Sequence, residues 1–392
     1  MLNAQPPGGA VRTLALSRKR PSAGDRLAIA ENAARILVLK PHDQLGDFVL
    51  TTPAIRALRE RYPRARLCLL TREFLAPLAR LVKDVDDVWV LPRITGPATF
   101  ARFASVVSRV MRFRPDLAFV MNSVSRSKSA DGFAFWSGAR LIVGRSRVFA
   151  GPIPADAPED PGARALEGAS SDVLYDLDIE VGRHSRPQTE RLLDLVRWCA
   201  PPSEIPLTYL QLSEAEREAG RARIEEALRG VDPSGASRRV VGLHPGAANE
   251  LKCWPLESFV ALGAELGGGA AEDRPQLVVF DSPRERGRAA AVVAGLAARG
   301  VHAGLVPASG IGEFAAACSA LDLLACNDSG VMHIATALGV ATVSFHSLGD
   351  PKEWGPRHDR SVAFYAPGGI AAIPVSAAVA AARDSLALAP KR

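Results

Sequence analysis

Runs of nearly continuous apolar residues alternate with amphipathic stretches along most of this chain. RILVLK (35–40), ARLCLLT (65–71), VDDVWVLP (85–92), DLAFVMN (116–122) and RLIVG (140–144) are short, rich in branched residues and apolar on both faces. That is the pattern of parallel strands covered on both sides. The segments between them are long enough for crossover helices, so the first half predicts a doubly wound α/β sheet. Residues 150–186 break the rhythm with prolines and acidic residues, and a helix is expected at about 188–199. Pro201-Pro202-Ser203 reads as a connection. After it RRVVGLHPG, PQLVVFDSP, LDLLACND and ATVSFHS resume the alternation, separated by helices expected near 255–267, 284–299, 310–320 and 331–338. The expected organisation is a flexible tail over 1–33, one Rossmann-like domain over 34–200 and a second over 201–392, facing each other across a cleft.

A length of 392 residues suits two such domains, and a hydrophobic content of 47% supplies both cores. The five cysteines are scattered without a CxxC pair, which speaks against a disulfide framework or a zinc site and for a reducing cytoplasm. The first thirty residues lack the apolar stretch of a signal peptide, and no window reaches the roughly 18 apolar residues of a membrane span. Contact with a bilayer is therefore expected to be peripheral, at the inner face of the cytoplasmic membrane.

Charge adds an asymmetry. Residues 1–150 hold 25 Lys and Arg against 11 Asp and Glu, whereas the remainder holds 23 against 31, so the net +6 conceals a basic first part. This reads either as arginine on solvated helix faces or as a surface for an anionic partner. No aromatic RNA-binding signature or DNA-binding motif supports nucleic acid as that partner.

Three loops carry candidate chemistry. The first strand leads into Pro41-His42-Asp43-Gln44-Leu45-Gly46-Asp47 and then a helix; Gly46 allows close approach of a ligand, and Asp47 is either a cleft carboxylate or a helix N-cap. No GxGxxG is present, so the ordinary dinucleotide fingerprint is absent. In the second, Gly246-Ala247-Ala248 form a small-residue turn whose N–H groups can approach phosphate, and Lys252 precedes Trp254-Pro255. Lys252 is either a charge for a diphosphate or a solvated side chain. In the third, Asn327-Asp328-Ser329-Gly330 opens a helix whose free N–H groups suit an anion, with Asp328 or Ser329 as the alternative N-cap. His333, one turn on, is either a buried hydrogen-bonded histidine or a cleft residue. A weaker fourth feature is Asp281-Ser282-Pro283-Arg284-Glu285, where an acidic side chain can accept ribose hydroxyls.

Together these segments resemble the heptosyltransferase family, glycosyltransferase family 9. ILVLKPHDQLGDFVLTTPAIRALRERYP is similar to its opening strand, Gly-Asp and "TTP…RAL" helix. GLHPGAANELKCWPLESF is similar to its "NPG" turn, Lys and Trp-Pro, and NDSGVMHIATALGVATVSF to its "DSG…H.A.ALG" pattern. The motifs fall in family order over residues 35 to 357. The resemblance implies a GT-B fold and an inverting, metal-independent transfer without cofactor, with an ADP-linked sugar such as ADP-heptose held mainly by the second domain and an inner-core lipopolysaccharide or related anionic glycan as acceptor. It implies Asp47 as general base beside Gly46 on the acceptor side, Lys252 as the phosphate-binding lysine, and Gly246, Ala247, Ala248, Asp328, Ser329, Gly330 and His333 along the donor. It implies Glu285 at the ribose. The absence of a DxD motif agrees with metal independence. Cys253 departs from the family, which often has Arg or His there, as does His346-Ser347-Leu348-Gly349. Another nucleotide sugar, or binding of one without turnover, is the alternative reading.

Overall fold

In a computed structural model, residues 21–42, 44–122, 127–145, 164–166, 174–180, 186–231, 239–268, 274–283 and 287–388 are described. The strands are β1 (Arg35–Lys40), β2 (Arg66–Arg72), β3 (Asp87–Leu91), β4 (Leu117–Val120), β5 (Leu141–Gly144), β6 (Arg164–Leu166), β7 (Leu177–Glu180), β8 (Val240–His244), β9 (Gln276–Phe280), β10 (Gly304–Val306), β11 (Leu323–Asn327), β12 (Ala341–His346) and β13 (Val362–Tyr365). They form two sheets, ordered β3-β2-β1-β4-β5-β7-β6 and β10-β9-β8-β11-β12-β13. Among the described strands only β6 runs antiparallel to its neighbour. Both sheets reverse direction beside their first strand, β1 next to β4 and β8 next to β11. In open α/β sheets that switch point, at the carboxyl ends of the strands, is where ligands bind.

The continuous apolar runs follow from burial on both faces. Ile36, Val38, Leu67 and Leu69 turn to one side of the first sheet, while Leu37, Leu39, Cys68 and Leu70 turn to the other, where Trp89 meets Phe113 edge-on at 5.1 Å. The first of these faces continues into the second sheet through Val278, Phe280, Leu324 and Cys326, so one apolar core spans both halves. A recurring aspartate fixes the register. Asp116, one residue before β4, accepts the N–H groups of Ala34 and Arg35 at 2.9 and 3.0 Å, and Asp322, one residue before β11, accepts that of Val240 at 2.7 Å. Asp86 and Asp176 do the same for Leu67 and Ile142, each at 2.7 Å. Each satisfies an N–H at the start of a strand that the ladder leaves without a carbonyl.

Two expectations are corrected. The tail predicted over 1–33 includes a helix, Ala23–Glu31, whose capping box pairs Ser22 with Asp25 and whose Ile29 and Ala30 join the core; residues 1–20 lie outside the described residues. The irregular stretch 150–186 includes β6 and β7, and β7 extends the sheet with Val143 opposite Leu177 and Gly144 opposite Asp178.

The halves are joined by residues 209–211. The Tyr209 N–H donates to Thr52 Oγ1 at 3.1 Å, that of Leu210 to the Ala337 carbonyl at 2.9 Å and that of Gln211 to the Leu81 carbonyl at 2.9 Å. Arg56 lies over the Tyr209 ring at 3.7 Å.

Candidate active site

β1 ends at Lys40, and the chain turns through Pro41, whose carbonyl accepts Arg72 Nε at 2.9 Å, into the helix Leu45–Val49. Gln44 stands at the N-cap and Asp47 lies within the first turn, where the helix dipole favours its charge. Asp47 is therefore not the cap; it is 4% exposed and lines a cavity of about 370 Å³.

Lys252 reaches the same cavity from the second half. It ends a short turn, Glu250–Lys252, started by Asn249 Oδ1 accepting the Leu251 N–H at 3.0 Å. Trp254 anchors this turn: its indole is wholly buried, stacks on Phe345 at 4.0 Å and donates Nε1–H to the Ile373 carbonyl, while its backbone N–H donates to Asn327 Oδ1 at 2.9 Å. Asn327 also donates to the carbonyls of Pro245 and Gly246 at 3.0 and 3.3 Å, tying the small-residue turn to the end of β11.

Asp328 follows. Its Oδ2 accepts Lys252 Nζ at 2.7 Å, its Oδ1 lies 3.9 Å from His346 Nδ1, and Ser344 Oγ holds the other nitrogen of that ring at 2.9 Å. Burial lowers the pKa of His346, so near neutrality it meets Asp328 as an uncharged ring. Ser329 is the N-cap of the helix Gly330–Ala337 but makes no side-chain cap bond, and its buried hydroxyl has no partner among the described residues. His333, 5% exposed, is both buried and a cavity residue. Burial lowers its pKa to about 4 against the opposing charges of Asp328 and Asp47, so it too is neutral at ordinary pH.

The structure thus gathers Gly46, Asp47, Lys252, Asp328, Ser329, Gly330 and His333 around one cavity. Gly246, Ala247 and Ala248 lie on the loop leading to Lys252 and are not among its walls; Glu285 lies outside the described residues. Cys253 turns inward, its Sγ toward the carbonyls of Asn249 and Ala247 at 3.6 and 3.9 Å. Gln44, Leu348, Gly349 and Trp354 complete the walls and carry no motif signal of their own. Gly349 is required by proximity, since a β-carbon there would stand 2.7 Å from Asp328 Oδ2. A second cavity of about 830 Å³ opens near the carboxyl ends of β2 and β3, where Arg72, Arg93 and Lys128 meet Phe74, Ile94 and Trp136. No described helix is long and apolar enough to cross a membrane.

Two doubly wound domains with one cleft between them make this a GT-B protein. The family model for glycosyltransferase family 9 (heptosyltransferase) matches residues 172–370, and the chain belongs to that family. It is 23% identical over 317 residues to lipooligosaccharide heptosyltransferase 2 of Haemophilus ducreyi, covering 78% of this chain and 80% of that protein. Among solved structures it is similar to the glycosyl transferase family 9 protein of Veillonella parvula, with a TM-score of 0.69 and 18% identity over 90% of this chain and 97% of that one. It is also similar to the ADP-heptose LPS heptosyltransferase II of E. coli, with a TM-score of 0.66 and 18% identity over 90% and 98% of the two chains.

Proposed function

We propose that this glycosyltransferase moves heptose from ADP-heptose onto an anionic inner-core or related envelope glycan, inverting the anomeric carbon and using no metal or cofactor. The observation that carries the reading is that Asp47 from the first half shares one cavity with the Lys252–Asp328 pair and the Gly330 helix start from the second. In the transfer, the acceptor oxygen forms its bond to the anomeric carbon as its proton passes to Asp47. The bond from that carbon to the diphosphate breaks, and its electron pair leaves with the phosphate oxygen. One carboxylate opposite the leaving group suits a single displacement, and hence inversion. Lys252 and the N–H groups at Ser329 and Gly330 meet the growing charge on the diphosphate, the electrostatic task otherwise given to a cation. His333, neutral between two carboxylates, can donate to the sugar or the phosphate without adding charge.

ADP-heptose and LPS are named for the E. coli relative and lipooligosaccharide for that of H. ducreyi, which supports this donor and an envelope glycan, and the cationic and aromatic cavity beside the Asp47 loop suits an anionic glycan acceptor. We place the enzyme in the cytoplasm, peripherally at the membrane; the free, buried state of all five cysteines and the basic first domain support that placement. Thermal shift and turnover with ADP-, UDP-, GDP- and CMP-sugars test the reading. Selective stabilisation and consumption of ADP-heptose is expected, and preference for another nucleotide would overturn the donor assignment.

A further inference from the structure

Strand alternation puts Ser344 and His346 on the same face of β12, with His346 as its last residue and wholly buried. Ser344 Oγ lies 2.9 Å from Nε2 of the ring and 3.4 Å from the Val362 carbonyl. The other nitrogen, Nδ1, is buried without a hydrogen-bond partner among the described residues and stands 3.9 Å from Asp328 Oδ1. The Gly349 backbone also acts on the ring without completing a hydrogen bond. A neutral imidazole has one N–H, and the partners of its two nitrogens decide which of them carries it. Were Nδ1 the bare nitrogen, its lone pair would face a carboxylate. The favoured form therefore carries the proton on Nδ1, with the Ser344 hydroxyl donating to Nε2 across its shorter contact. That N–H is too far from Asp328 for a hydrogen bond, and a buried donor with nothing to donate to is costly.

Asp328 has a matching weakness. Among the described residues, Lys252 Nζ at 2.7 Å makes the one hydrogen bond to its carboxylate. The lysine side chain is 30% exposed and that of the aspartate 8%, so Lys252 can exchange this partner for one in the cavity, whereas Asp328 has little water to replace it. A diphosphate competes with the carboxylate for the same ammonium. Drawing Lys252 away leaves a buried carboxylate short of a donor, and His346 holds an unused one about 1 Å beyond hydrogen-bond distance.

We propose that His346 is a positioning residue for the Lys252–Asp328 pair: its Nδ1–H closes on Asp328 when Lys252 turns to the diphosphate, which frees the lysine to hold the donor. The inference rests on Lys252 meeting the diphosphate. His346 itself is not among the cavity walls and touches no substrate.

Asparagine and glutamine divide the ring between them, since the amide of Asn reaches the place of Nδ1 and that of Gln the place of Nε2. His346→Gln keeps a partner for Ser344 and loses the donor to Asp328; ADP affinity by calorimetry is expected to fall about 10-fold. His346→Asn should stay near wild-type affinity. Placed in an Asp328→Asn background, His346→Gln should cost nothing further, because no carboxylate is left to be handed over. Equal losses in the Asn and Gln variants, a loss that persists beside Asp328→Asn, or wild-type affinity in His346→Gln would each overturn the proposal. Histidine-selective nitrogen NMR tests the unaltered protein should a variant fail to fold. The proton is expected on Nδ1, moving downfield as ADP binds, and a proton on Nε2 or an unmoved signal at saturation would contradict the exchange. Lys252→Ala separates the two ideas: unchanged ADP affinity there removes the lysine from the diphosphate. If that variant binds weakly while His346→Gln binds as wild type, only the role of His346 falls.

Discussion

A β-carbon placed on Gly46 would stand 2.7 Å from Cδ2 of His333. The reciprocal contact is equally close, for one placed on Gly330 would stand 2.5 Å from Leu45 Cβ. The two domains thus meet at the active site through paired glycines, with no room for a methyl group on either. Gly46→Ala should be harmless to its own helix, since alanine favours helix, yet it must push His333 or the domain joint aside. Displacements of about 1 Å near reacting groups cost up to 10²-fold in rate. We expect a loss of about 10-fold or more in turnover, with Gly24→Ala, which meets open space, as a silent control. Equal rates for both variants would show that the joint tolerates the shift.

Asp47 and Lys252 should fail in different ways. Asp47→Asn is expected to slow transfer about 10²- to 10⁴-fold with ADP affinity retained, because a base acts only as the proton moves. Lys252→Ala should weaken ADP binding as well, by about 10- to 100-fold, since a charge-assisted bond is worth about 1.5–3 kcal/mol and the diphosphate is present before and during reaction. Calorimetry with ADP separates them, and unchanged affinity in the lysine variant would remove it from the donor site.

Acid should destabilise the fold before it protonates most carboxylates. His244 and His333 are buried and lowered to about 4, against about 6.5 when unfolded. Between those values the unfolded chain binds the proton and the folded one does not, so stability is complete above pH 6.5 and falls toward pH 4, by at most about 3 kcal/mol per histidine. His244→Gln should flatten the decline of the melting temperature across that window. Parallel curves for variant and wild type would contradict it.

The basic first domain offers a membrane test. Arg102, Arg109, Arg112 and Arg114 are all exposed on or just after the helix Pro97–Phe113, beside Phe100 and Met111, which are 58% and 52% exposed. Binding to anionic liposomes is expected to weaken as the Debye length shrinks from about 10 Å at 0.1 M salt to about 3 Å at 1 M. Reversing these arginines should abolish it while sparing ADP binding. Equal binding to neutral liposomes would make the asymmetry a matter of composition alone.

The sequence announced the unbroken apolar strands and hid those that a buried polar residue interrupts or that lie at an edge. β1, β2, β4, β8 and β11 read as unbroken apolar runs. β7 alternates Leu177, Asp178, Ile179, and β10 and β13 are short edge strands, so none of the three carries that mark. The cavity residues that sit in motifs were legible because a turn after a strand demands small or charged types. The burial of Lys40 was silent, since a lysine closing a hydrophobic run looks like the end of a strand rather than an interior charge. The Gly46–His333 contact joins positions almost three hundred residues apart, beyond any local pattern. The Ser22–Asp25 capping box was readable and outweighed by the small polar residues before it.

The aspartates ahead of β4 and β11 give each half its own internal ruler. Asp116 sets where β4 begins against β1, and Asp322 sets where β11 begins against β8, without reference to the other domain. Neither half alone brings Asp47 to Lys252. That meeting depends on the apolar core the two halves share and on the close glycine contacts between them, with the N–H groups of residues 209–211 fastening the joint. Chemistry in this molecule belongs to the joint between the halves rather than to either one.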